Sequence, residues 1–156
     1  MTRVFLGLGS NIDPELNLNK ALALLCQEFQ VVQVSPWYRS AAQGFVGPDF
    51  INLVVELNSD LGLAEFAKQI RALEYQCGRP ENAQKLSSRG IDIDILLFGE
   101  LAGRHEGIVL PRADLCQWAF VLRPLLDIAP NLQHPATGEP LANYWPALAC
   151  QPLSLI

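Results

Sequence analysis

Two carboxylates stand two residues apart inside an apolar run: Asp92 and Asp94 in RGIDIDILLFG, residues 89 to 99. Aspartate is poorly suited to a strand interior, so this placement calls for a reason. Side chains two apart on a strand share a face, which sets the acids side by side while Ile91, Ile93 and Ile95 point the other way into a core. Like charges at that spacing repel unless a cation neutralises them. Magnesium suits the pair, because it takes hard oxygen ligands and is held by one or two carboxylates together with substrate phosphates. The alternative is an exposed sheet face on which both acids pair with Arg89 and a neighbour.

Bases gather around the pair. Six of the eleven Lys and Arg residues (Arg79, Lys85, Arg89, Arg104, Arg112, Arg123) fall within 45 residues, which suggests a local anionic partner, although solvated surface charge accounts for them equally well. The polar segment RPENAQKLSSR (79 to 89) has no hydrophobic period and reads as a flexible loop able to fold over a ligand. Paired acids with movable bases suit phosphoryl transfer, where catalysis is mostly positioning and charge neutralisation.

The elements that must position these groups follow from pattern. TRVFLGLGSNI (2 to 12) reads as a strand closed by a turn, and DPELNLNKALALLCQEF (13 to 29) as a helix with Asp13 as cap and Pro14 in its first turn. QVVQVSPWYRS (30 to 40) and DFINLVVELNS (49 to 59) read as neighbouring antiparallel strands joined by a mobile loop. GLAEFAKQIRALEYQCG (62 to 78) carries a helical period and ends on Gly78, a natural C-cap. After the Asp-bearing strand come a loop, one or two short helices over 110 to 130 interrupted at Pro124, a turn near Thr137-Gly138, and a last helical segment around 141 to 149. The order β α β β α β predicts an α+β, ferredoxin-like antiparallel sheet with helices packed on one face, plus a helical C-terminal extension.

At 156 residues, 1–156 is expected to form a single domain. No run approaches the length of a membrane-spanning helix and no leader precedes the first strand, so a cytoplasmic protein with no membrane partner is expected. The net charge of −5 and the lack of interleaved basic and aromatic residues argue against a nucleic-acid partner. Cys26, Cys77, Cys116 and Cys150 form no CxxC pair and read as reduced core thiols.

Five separated blocks then carry a resemblance: GLGSNI, YRS followed by PDFINLVVEL, LEYQCGR, RGIDIDILLFG and AFVLRPLLDIAP. In order and spacing they resemble 6-hydroxymethyl-7,8-dihydropterin pyrophosphokinase of folate biosynthesis, from about residue 3 to 130. The resemblance implies transfer of diphosphate from ATP to the hydroxymethyl group of the pterin, with two Mg2+ ions on Asp92 and Asp94. It implies a pterin stacked between Phe50 and Phe120 and read by Asn52 and by the backbone of the Ser40 to Gly44 stretch. On the nucleotide side it implies Glu74, Arg79, Lys85, Arg89, Ile95 and Arg112, with Arg89 acting with the acids in catalysis. A monomer with ATP and a dihydropterin as its small-molecule partners is expected.

The chain also departs from the family pattern. Arg112 stands where a His is usual, Trp118 and Ala119 precede Phe120 where an Arg and a Gly are usual, and the polar loop has Glu81, Asn82 and Leu86 in place of an aromatic and further bases. These changes gather on the nucleotide side and motivate a second reading, a pterin-binding paralogue with weak or no kinase activity in a regulatory or partner role.

Overall fold

The computed structural model describes residues 1–77 and 90–156. Strand β1 (Thr2–Ser10) puts Val4, Leu6 and Leu8 into one core and Phe5 into another, so Gly7 and Gly9 share the face of Phe5. Helix α1 (Pro14–Glu28) follows, with Pro14 in its first turn as expected. Asp13 does not cap it through its side chain: it is left-handed at φ 41°, and its carbonyl accepts the Asn17 N–H at 3.0 Å while Asn17 Nδ2 donates to the Ile12 carbonyl at 2.6 Å.

The run expected as one strand over 30 to 40 is two, β2 (Gln30–Val34) and β3 (Tyr38–Ser40), both paired to β4 (Phe50–Ser59). Pro36 has no N–H to give the ladder, which breaks there. Ser35 holds the junction, its N–H donating to the Val54 carbonyl at 2.9 Å and its Oγ accepting the Val54 N–H at 2.8 Å. Helix α2 (Leu63–Gln76) is followed by β5 (Asp92–Phe98), and the Gly78 cap lies outside the described residues.

All pairings are antiparallel and the sheet runs β5-β1-β4-β3-β8, with β2 also on β4 and β8 (Ser154–Leu155) added from the C-terminus. Helices α1 and α2 cover one face, Leu18, Leu25, Phe66, Ile70 and Leu73 packing on Val4, Leu6, Ile51, Leu53 and Val55. The C-terminal extension crosses to the other face. There a 3₁₀ turn (Ala113–Cys116) and α3 (Ala119–Ile128) bring Leu115, Leu122 and Leu125 onto Phe5, Val54, Leu96 and Leu97, while Leu141 and Leu148 close the cluster from a second 3₁₀ turn (Leu141–Tyr144) and α4 (Trp145–Leu148).

Three expectations change here. The segment after β5 is a hairpin, β6 (Gly103–His105) and β7 (Ile108–Leu110), whose two-residue turn has φ 53° at Glu106 and 77° at Gly107. Positive φ at both positions gives the primed turn that suits strand twist, but Glu is an unusual first residue for it, so the sequence carried no clear signal. Helix α3 also runs through Pro124; the break falls before it, at Gln117 and Trp118. The thiols are free, yet only Cys77 is buried, while Cys26 and Cys150 are exposed and not in the core.

Candidate active site

The half of the second sheet face that α3 leaves uncovered forms a cleft of about 510 Å³. Its floor is set by strand register. Asp92 and Asp94 lie opposite Gly9 and Gly7, so no neighbouring side chain on β1 crowds the carboxylates. A bulge between Phe5 and Leu6 then resets the alternation: Leu96 and Leu97 both turn into the second core, while Ile91 and Ile93 are buried beneath the sheet and Ile95 partly so. One seven-residue strand thereby serves an apolar core at each face and an acidic floor between them.

Phe50 and Asn52 rise beside the floor from β4, on the face opposite Ile51 and Leu53. Asn52 is buried, and its Nδ2 donates to Ser40 Oγ at 2.8 Å. Ser40 thus fixes the side-chain amide at the cleft wall. A Cβ on Gly9 would stand 3.3 Å from Asn52 Oδ1 and 3.6 Å from the Phe50 ring, so this position must stay small for the wall to keep its shape. Phe120 faces the cleft from the start of α3 and stacks on Trp118 at 5.6 Å, while Phe45 sets its edge on Phe50 at 6.4 Å. The start of α3 is held by the C-terminal segment, since Gln151 Oε1 accepts the Ala119 N–H at 2.7 Å and its Nε2 donates to the Gln117 carbonyl at 2.9 Å. That bond satisfies an orphan donor of the helix start that carries Phe120.

A second cleft of about 440 Å³ adjoins the first and shares Arg71, Glu74, Ile93, Asp94, Arg112 and Asp114 with it. The shared wall is charged. Arg112 Nη2 lies 3.6 Å from Asp94 Oδ1, and its Nε 3.3 Å from Asp114 Oδ2. Burial nevertheless pushes the Asp94 carboxyl up to about 7, with repulsion from Asp92 adding to it and Arg112 opposing. The unfolded carboxyl releases its proton near 3.8, so between that pH and about 7 the folded state binds more protons and loses stability as pH rises. In metal-free buffer, the thermal midpoint of Asp94→Asn is therefore expected to gain on that of the native protein as pH goes from 4 to 7. A difference that stays constant with pH would show that this carboxyl is not strained by its surroundings.

Glu74 is buried between α2 and β5, where its Oε2 accepts the N–H of Ile93, the residue between the two acids, at 2.8 Å. Removing the acceptor strands a buried donor at a cost of about 2 kcal/mol. Glu74→Ala is accordingly expected to melt several degrees below the native protein, and Glu74→Gln, which keeps an acceptor, to recover most of the loss; equal melting of all three would remove this tie from the account.

Of the residues expected from sequence, Ser40, Phe50, Asn52, Glu74, Asp92, Asp94, Arg112 and Phe120 all line the first cleft. Gly44, with φ 81°, lies in the adjoining loop but not in the lining, and Ile95 lines the second cleft. Arg79, Lys85 and Arg89 lie outside the described residues. Arg123 faces elsewhere, bonded to Asp127 at 3.2 Å and set over the Trp145 ring at 4.7 Å. Tyr38 also donates to Asp127, and burial with that partner pushes its hydroxyl up to about 12. Neither His105 nor His134 lines either cleft. The sequence reading missed Arg71, Asp114, Gln43 and Phe45. Arg71 was within reach, since it precedes Glu74 by three residues and so shares its helix face.

Among the described residues no group of three or more His, Cys, Asp or Glu could hold a metal. Among the described residues the cleft floor thus offers the Asp92 and Asp94 carboxylates, a donor pair that fits magnesium when substrate phosphates supply further oxygens.

The model of the 7,8-dihydro-6-hydroxymethylpterin-pyrophosphokinase family (HPPK) matches residues 5–130. The chain belongs to this family. Among HPPK relatives, the 2-amino-4-hydroxy-6-hydroxymethyldihydropteridine pyrophosphokinase of Aquifex aeolicus is 34% identical over 158 aligned residues, covering 100% of this chain and 98% of the relative. That of Synechocystis is 33% identical over 92% of this chain and 75% of its own length. The HPPK fold is also seen in the crystal structure of Plasmodium falciparum HPPK-DHPS A437G with SDX-DHP, at 14% identity and a TM-score of 0.74. The match covers 94% of this chain, which spans under half, 45%, of that longer protein.

Proposed function

We infer that the protein transfers diphosphate from ATP to 6-hydroxymethyl-7,8-dihydropterin, giving AMP and the pterin diphosphate in folate biosynthesis. The observation that carries this reading is the continuity of two clefts through one charged wall, with an aromatic and amide pocket on one side and a nucleotide-sized recess on the other. A flat heterocycle gains from ring contact with Phe50 and Phe120, while its polar edge needs paired partners of the kind that Asn52 and the Ser40 to Gly44 backbone offer. Glu74, Arg71, Ile95 and Arg112 line the recess taken to hold ATP. Of the nucleotide-side residues, Arg79, Lys85 and Arg89 are assigned from the family resemblance.

In this reading the pterin hydroxymethyl oxygen attacks the β-phosphorus and gives up its proton to solvent, the bond from that phosphorus to the α,β-bridging oxygen breaks, and AMP leaves with the bridging oxygen. Asp92 and Asp94 would hold two Mg2+ ions, which when bound neutralise charge on the polyphosphate. The chain's own residues then orient the two substrates, exclude water from the join between the clefts, and present positive charge to the phosphates through Arg112 and Arg89. The reading takes residues 1–156 as one domain acting as a monomer in the cytoplasm; no helix among the described residues is long and apolar enough to cross a membrane.

Incubation with ATP, Mg2+ and the dihydropterin should release AMP and the pterin diphosphate in equal amounts, and release should require all three. Calorimetric binding of pterin with no AMP formed under saturating ATP and Mg2+ would reject diphosphate transfer.

A further inference from the structure

Arg112 reaches Asp94 and Asp114 at once, from the wall shared by the two clefts. Its side chain is still 43% exposed, so it is free to swing without unpacking a core. A guanidinium on Asp94 neutralises the carboxylate that a divalent cation must approach, and the same guanidinium offers a fork of donors that suits phosphate oxygens. The two roles exclude each other at one instant. We propose that Arg112 is a resident counter-cation for Asp94, displaced by the incoming divalent cation and transferred to the polyphosphate that arrives with it. It makes the free metal a poor ligand and the metal–nucleotide complex a good one, coupling the two by a change of partner. The inference rests on the diphosphotransferase reading and adds to it an order of events at the charged wall.

The sign of the effect separates this role from a plain phosphate contact or a structural one. A unit charge a few ångströms from a carboxylate at a half-exposed site changes the affinity for a competing cation by roughly tenfold or more. Mn2+ alone, followed by its paramagnetic resonance signal, is therefore expected to bind Arg112→Met about tenfold more tightly than the native protein. Mn2+ with a non-hydrolysable ATP analogue should bind the same variant more weakly, and Arg112→Lys, which keeps the charge, should hold Mn2+ nearly as the native protein does. Thermal melting of both variants checks that the fold is intact. Unchanged or weaker binding of Mn2+ alone to folded Arg112→Met overturns the proposal even if the native protein binds metal–nucleotide and pterin normally. Failure of the native protein to bind metal–nucleotide at all overturns the proposal and the diphosphotransferase reading together.

Discussion

Replacing both Asp92 and Asp94 with asparagine is expected to lower AMP formation by at least about a thousandfold and to leave the protein folded. The size follows from the charge removed: one preorganised electrostatic contact to a developing transition state contributes about 3 kcal/mol, on the order of a hundredfold or more in rate, and the pair acts as a unit. The fold should survive because β5 is held by its ladder to β1 and by Ile91, Ile93, Leu96 and Leu97, none of which depends on the carboxylates. Asparagine even removes the charge whose burial pushes the Asp94 carboxyl upward. Turnover measured as AMP release, beside a thermal melt, decides the matter. Double-variant turnover within tenfold of the native rate would remove the acids from the chemistry and leave them as surface charges.

The second large effect lies in the aromatic pocket. Phe50→Ala is expected to raise KM for the dihydropterin by roughly thirtyfold, the loss of about 2 kcal/mol of ring burial and stacking, with little change in KM for ATP. Phe50 is only partly buried and meets Phe45 edge-on rather than filling a core, so its truncation opens the cleft without leaving a closed cavity. Calorimetry with pterin alone gives the same test without turnover. If pterin affinity is unchanged while stability falls by several kcal/mol, Phe50 is a packing residue and the ring is bound elsewhere.

Much of the fold was legible because it rests on short-range patterns. The helical periods over 13 to 29 and 62 to 78, the β-branched runs and the acid pair on β5 each carry their own periodicity, and a ferredoxin-like α+β order follows from their succession. What escaped had local signals that were weak or misleading. Pro124 reads as a break but sits within α3, since hydrophobic packing of Leu122 and Leu125 outweighs one missing backbone bond. The β6–β7 hairpin turns on Glu106 and Gly107, without the usual asparagine or aspartate. Arg71 had no motif around it, only a shared helix face with Glu74.

The sequence by itself determined the family, the strand that carries the acids, and the fact that Asp92 and Asp94 share a face, because a period of two is a property of the backbone alone. Only the tertiary structure decided what that face meets. The extension that packs Leu115, Leu122 and Leu125 onto one half of it leaves the other half as a cleft, and Gln151 holds Phe120's helix from a segment more than thirty residues away by the count of its bond to Ala119. Arg112 likewise became a partner of Asp94 only when the chain doubled back through the hairpin. Such contacts join residues far apart along the chain, and no local pattern records them, since their energy is realised only when both partners are already in place.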